Sequence, residues 1–135
     1  MTDITYRLAQ KRNIVTALPG PRSAEMSARR QAAVAAGVSA AAPVYAADAD
    51  GGVIVDIDGN SLIDLGSGIA VTSVGASHAG VAAAVAQQAA RFTHTCFMIT
   101  PYEGYVELAE RLNAMTPGDH EKRTAFFNSG SEAVE

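Results

Sequence analysis

The stretch TAFFNSGSEAVE, residues 124–135, passes from a short apolar run into a small polar turn and then into the opening of a helix. The apolar run predicts a strand at about 123–127, and Asn128-Ser129-Gly130-Ser131 turns it directly into the helix. Gly130 lets the backbone bend sharply and leaves no side chain above the helix entrance. The free N–H groups of the first helical turn then converge where the positive end of the helix dipole favours an anion. Ser129 and Ser131 add hydroxyl donors beside those amides. Two readings follow: a phosphate cradle, or a capping box in which Ser129 and Glu132 satisfy each other without a ligand. No Gly-Lys-Ser/Thr follows, so this is not a Walker A loop, and the three-glycine spacing of a dinucleotide fingerprint is absent.

Upstream, LPGPRS (18–23) forbids continuous helix or central strand, so residues 1–21 read as an arm leading to a domain. Ser23 is a candidate cap for a helix over about 24–36, stopped at Gly37. Then the period changes. Two turn signals, Asp48-Ala49-Asp50-Gly51-Gly52 and Asp58-Gly59-Asn60, separate β-rich runs at about 44–47, 53–57 and 61–64. Together they predict a three-stranded antiparallel meander. Ser77 is placed to cap a helix through HAGVAAAVAQQAARF. Thr100-Pro101-Tyr102-Glu103 has the form of a capping box, ahead of Tyr105, Leu108, Ala109 and Leu112 at helical spacing and a stop at Thr116-Pro117-Gly118.

The 135 residues are 48% apolar, mostly Ala and Val without Trp, which predicts a modest core and marginal stability for the chain alone. The formal net charge is −4 and the basic residues are scattered, which argues against a nucleic-acid surface. Residues 32–47 are the most apolar stretch but are short and broken by Gly37, Ser39 and Pro43, unlike a membrane helix. Cys96 is the single cysteine; no disulfide framework exists, and the expectation is a soluble cytoplasmic protein in which Cys96 is buried and structural. His78, His94 and His120 are too dispersed for a metal site. Asp56, Asp58 and Asp64 could imitate a metal cluster, but the turn chemistry of Asp58-Gly59-Asn60 explains them more simply.

The segment FFNSGSEAVE is similar to the one with which class III (ω-amino acid) aminotransferases begin the helix that holds the phosphate of pyridoxal 5′-phosphate. LPGPRS, DGNSLIDLGSGIAV, THTCFM and TPYEGYVELAERLN occur in the same order as in the 4-aminobutyrate branch of that family, so the resemblance runs through essentially the whole chain. It implies an α/β fold, the N-terminal portion of a PLP-dependent transferase of fold type I. Residues 1–21 would be the arm, 22–68 the first part of the small domain with its helix and meander, and 69–135 the start of the large cofactor-binding domain.

Carried over by residue, the resemblance makes Gly130 and Ser131 the phosphate-binding pair, with Ser129 alongside. Ile69 in GSGIAV matches an isoleucine at the substrate entrance; between Gly66 and Gly68 and the residues that follow, the backbone there is expected to form a crowded turn near a ligand. On residue type alone Ile69 is equally a core side chain. Pyridoxal chemistry needs a lysine and an acidic partner for the pyridine nitrogen, and the only lysines are Lys11 and Lys122. Neither matches the family's catalytic position, so no catalytic residue is expected within these residues and the chain reads as a fragment. The implied enzyme moves an amino group from 4-aminobutyrate to 2-oxoglutarate and is a homo-oligomer, dimer or tetramer. Related donors (ornithine, acetylornithine, β-alanine) and a non-catalytic truncated or split-gene subunit stand as alternatives.

Overall fold

The computed structural model describes residues 5–135. In chain order its elements are α1 (Pro21–Ala33), β1 (Ala46–Asp50), β2 (Val53–Asp56), β3 (Ser61–Ile63), α2 (Ser67–Ala70), α3 (Ala79–Arg91), α4 (Glu103–Met115) and α5 (Gly130–Val134). The chain divides into two compact units between Gln87 and Gln88, within α3. The first four residues of the expected arm lie outside the described residues. Among the described residues no helix is long and apolar enough to cross a membrane.

In the first unit the expected meander is present, with β1, β2 and β3 antiparallel in sequential order. The first turn is tighter than its composition suggests. Asp50 pairs with Val53, so Gly51-Gly52 alone makes the connection, and Gly51 takes φ 58°, which glycine enters without steric cost. Asp48 to Asp50, expected in the turn, are therefore strand residues. The second turn forms as read: Gly59 at φ 89° donates its amide to the Asp56 carbonyl, and the Asp56 amide donates to the Asn60 carbonyl at 2.9 Å.

The arm is laid against this meander by polar contacts. Asn13 and Ser61 exchange backbone hydrogen bonds of 2.9 and 2.7 Å. The Asp50 carboxylate accepts from the Arg7 and Leu8 amides, and the Arg7 guanidinium grips Asp48 at 2.6 and 2.7 Å. Asn60 is the hub. Its Oδ1 accepts from the Val15 and Thr16 amides at 2.8 and 2.9 Å, and its Nδ2 donates to Thr16 Oγ1 and Asp56 Oδ2, both at 2.8 Å. Asp56 accepts further bonds from the amides of Asp58 and Asn60. Asn60 is 0% and Asp56 2% exposed, whereas Val53 is the one buried apolar side chain among the described residues. The small core expected from an Ala/Val composition is supplemented by buried polar groups, each with partners.

Helix α1 begins earlier than expected, at Pro21, where the missing amide costs nothing. Gly20 is the N-cap and has no side chain to cap with; Ser23 lies inside the helix, fully buried. The cap arrives from the second meander turn. Asp58 Oδ1 accepts from the Arg22 amide at 2.8 Å, and Oδ2 accepts from the Ser23 amide and hydroxyl at 2.9 and 2.6 Å. The helix ends at Ala33, short of the expected 36, because Val34 is already extended.

These contacts set an acid response. Partial desolvation pushes the Asp58 carboxyl up, but the Ser23 hydroxyl and the Arg22 and Ser23 amides outweigh it and hold it below the usual range. Asp48 is held below that range by hydrogen bonds from Arg7. A carboxylate whose value is depressed on folding contributes stability that is complete above its unfolded value, about 3.9, and is lost as pH falls through the folded value. The NMR amide shifts of Arg22 and Ser23 should therefore hold from neutral pH to about 4 and move below it. Asp58→Asn should show no such step; an unchanged step would assign the transition to another group.

In the second unit α4 begins at Glu103, with Tyr102 as an N-cap that makes no side-chain cap bond. The expected Thr100 box does not form, because Thr100 belongs to a tight turn in which its amide donates to the Cys96 carbonyl at 2.8 Å. In the first unit, Ser77 likewise does not cap α3: it sits at φ 54°, and the helical bonding opens at the His78 carbonyl. Cys96 is exposed, contrary to expectation. Its neighbour Phe97 takes the packed position, stacked on Tyr105 at 4.1 Å between ring centres.

Residues 123–127 are not a strand. A ladder needs a neighbouring strand, and this unit has none among the described residues. Instead Thr124 Oγ1 and Asn113 Oδ1 meet at 2.8 Å, the Phe126 amide donates to Tyr105 Oη at 3.3 Å, and the Phe126 ring stands edge-on to Tyr105 at 4.6 Å. Side-chain contacts with α4 thus carry the segment to the turn at Asn128.

Candidate functional site

Helix α5 starts at Gly130 with Ser129 as its N-cap. The Ser129 hydroxyl accepts from the Glu132 amide at 3.2 Å and lies 3.0 Å from Glu132 Oε2, to which it donates. The capping contact read from the sequence is therefore made. It leaves other donors free: the Gly130 and Ser131 amides and the Ser131 hydroxyl have no hydrogen-bond partner among the described residues. A Cβ built on Gly130 would meet nothing within 4 Å, so the approach to these donors is open. An open groove of about 370 Å³, lined by Tyr102, Tyr105, Leu108, Phe126, Phe127 and Asn128, reaches the turn. Chemically this is a small anion-accepting surface, with two amides and a hydroxyl at a helix start.

Ile69 lies in the first unit, in a conformation the sequence did not disclose. Ser67, Gly68, Ile69 and Ala70, the four residues of α2, have φ of 45, 61, 62 and 61°, so that element is a left-handed turn rather than a right-handed helix, and only one of its members is glycine. Each L-residue there costs about 1–2 kcal/mol, and a β-branched residue is a marked outlier. The expected crowding is absent: Ile69 is 94% exposed. What holds the turn is hydrogen bonding. The Ile69 and Val71 amides donate to the Gly66 and Ser67 carbonyls, both at 2.8 Å, and Asp64 Oδ1 accepts from the Gly66 and Ser67 amides at 2.9 and 2.8 Å. The signal for this contact is an aspartate two residues before a glycine, the pattern of an Asx turn.

Ser129, Gly130 and Ser131 are thus together in one turn of the second unit, and Ile69 stands in the first. Of the two lysines, Lys11 is exposed in the arm and Lys122 donates its ammonium to the Gly118 carbonyl.

The family model described as Aminotransferase class-III matches residues 34–135. The chain is 59% identical over 128 residues to a 4-aminobutyrate aminotransferase of Mycobacterium tuberculosis, covering 95% of this chain and 28% of that protein. It is 45% identical over 107 residues to a 5-aminovalerate aminotransferase of Pseudomonas putida, covering 79% of this chain and 25% of the relative. Against a 4-aminobutyrate aminotransferase of Escherichia coli the identity is 40% over 111 residues, 82% of this chain and 26% of the relative. The chain therefore spans little more than a quarter of the length of these relatives. Because the family match takes in both the left-handed turn and the Ser-Gly-Ser helix opening, and runs through most of the chain, the protein belongs to the class-III aminotransferases.

Proposed function

We propose that these residues are the N-terminal part of a pyridoxal 5′-phosphate-dependent 4-aminobutyrate aminotransferase of fold type I, cytoplasmic and homo-oligomeric. Residues 1–21 form its arm, 22–68 the first part of the small domain and 69–135 the start of the large domain. The whole enzyme passes the amino group of 4-aminobutyrate to 2-oxoglutarate, giving succinate semialdehyde and glutamate. What supports the donor is the 59% identity to a protein of that name.

The observation that supports the cofactor is the free donor set at Gly130 and Ser131 beneath open space. Gly130 and Ser131 hold the phosphate, with Ser129 fixing the turn through Glu132. When bound, pyridoxal phosphate supplies the electron sink that amino-group transfer requires. This chain's own residues bind and orient it; Ile69, with no proton to exchange, shapes the entrance for the donor.

The test is a graft in which the chain replaces the matching 28% of the M. tuberculosis relative. The graft should transaminate 4-aminobutyrate, and the isolated 135-residue chain should not. In the graft, Ser131→Ala should weaken cofactor retention about ten- to a hundredfold, the worth of one hydrogen bond to a charged group. Cofactor affinity equal to the parent's would reduce the turn to a helix cap.

A further inference from the structure

The geometry points to Asp64 as a positioning residue that sets donor selectivity by holding the left-handed turn on which Ile69 stands. This rests on the reading of Ile69 as an entrance residue. A run of four positive φ values, three of them on residues with a Cβ, persists only where surrounding interactions hold it. Packing of Ile69 does not do so, since its side chain is 94% exposed. The glycine in the run relieves one position of four. Backbone bonds within the turn stabilise it once formed, but they start from Gly66 and Ser67, the residues where the chain changes hand.

Those two residues are the ones Asp64 holds. One oxygen, Oδ1, receives both amides, at 2.9 and 2.8 Å. Asp64 is itself anchored to the meander, its amide donating to the Gly52 carbonyl at 2.9 Å. The direction of Ile69 is thereby referred to the sheet through a single carboxylate. Without that acceptor, Ser67, Ile69 and Ala70 are free to relax toward right-handed backbone, which carries the Ile69 side chain elsewhere.

The experiment uses the active graft and compares kcat/KM for 4-aminobutyrate with that for 5-aminovalerate, a donor one methylene longer. Asp64→Ala should change this ratio about fivefold or more, within the range that one apolar contact commands. Asp64→Asn, which keeps a carbonyl oxygen for the same amides, should restore the parent ratio. Ile69→Ala should shift the ratio as Asp64→Ala does, and the double variant should add nothing further, because both remove one device. Amide exchange at Gly66 and Ser67 should quicken in Asp64→Ala and not in Asp64→Asn. An active parent whose ratio stays within twofold in Asp64→Ala, or additive effects of the two substitutions, overturns the inference while leaving the proposed function standing. An inactive parent graft overturns both.

Discussion

Replacing Asn60 by alanine should destabilise the first unit by about 3–5 kcal/mol, the largest single-residue loss expected in this chain. Four hydrogen bonds end on that side chain. Their removal leaves the Val15 and Thr16 amides without an acceptor and the buried Asp56 carboxylate short of a donor. A neutral bond is worth about 0.5–1.5 kcal/mol, and one to a charged group about twice that, more when the deserted partner stays dry. In the graft, amide exchange at Val15 and Thr16 should rise by two orders of magnitude or more, the conversion of about 3 kcal/mol. Protection equal to the parent's would mean that the arm is held by something other than Asn60. Asn60→Asp separates the parts, since it keeps the acceptor for the arm amides but puts a second carboxylate oxygen against Asp56.

Gly20→Ser inverts a common rule. Serine is a preferred N-cap, and introducing it for glycine ordinarily helps a helix slightly. Here a Cβ on Gly20 would lie 2.3 Å from Asp58 Cγ and 2.6 Å from its Oδ1, so the carboxylate that caps α1 from across the turn must leave. The buried Ser23 hydroxyl then loses its partner, and the helix start loses its acceptor. Together these cost about 2–4 kcal/mol, which the gain of a local serine cap over glycine, about a few tenths of a kcal/mol, does not offset. Urea melts of the graft, followed by a probe in α1, should show the midpoint falling. Made together with Asp58→Ala, the substitution should cost less than the two changes summed, since the clash is removed once. A raised midpoint in Gly20→Ser would show that the long-range cap is dispensable.

These two residues also mark where sequence reasoning reached its limit. Asp58-Gly59-Asn60 was legible as a turn because Gly59 and its neighbours act on the backbone around them. That the same Asp58 caps a helix 35 residues away, and that Asn60 is the buried hub of the arm, depends on partners brought together only by folding. Strand 123–127 failed for a related reason: an apolar run states a preference, but a strand is a relation to a neighbour. The Ser129 to Ser131 turn was readable since all its parts lie within four residues. The left-handed run at Ser67 to Ala70 was not, because Ser, Ile and Ala each favour the opposite hand and the Asp64 carboxylate that accepts the Gly66 and Ser67 amides is matched to them only in the folded turn.

The polar hub around Asn60 gives the first unit a distinctive heat-capacity signature. Unfolding exposes apolar surface, which raises heat capacity, and polar surface, which lowers it. Among the described residues Val53 is the one fully buried apolar side chain, beside Ser23, Asp50, Asp56 and Asn60, so polar groups offset a larger share of the apolar contribution than they would in an all-apolar core. A smaller heat-capacity increment bends the stability curve less, so this unit should show less curvature with temperature than an apolar core of the same size.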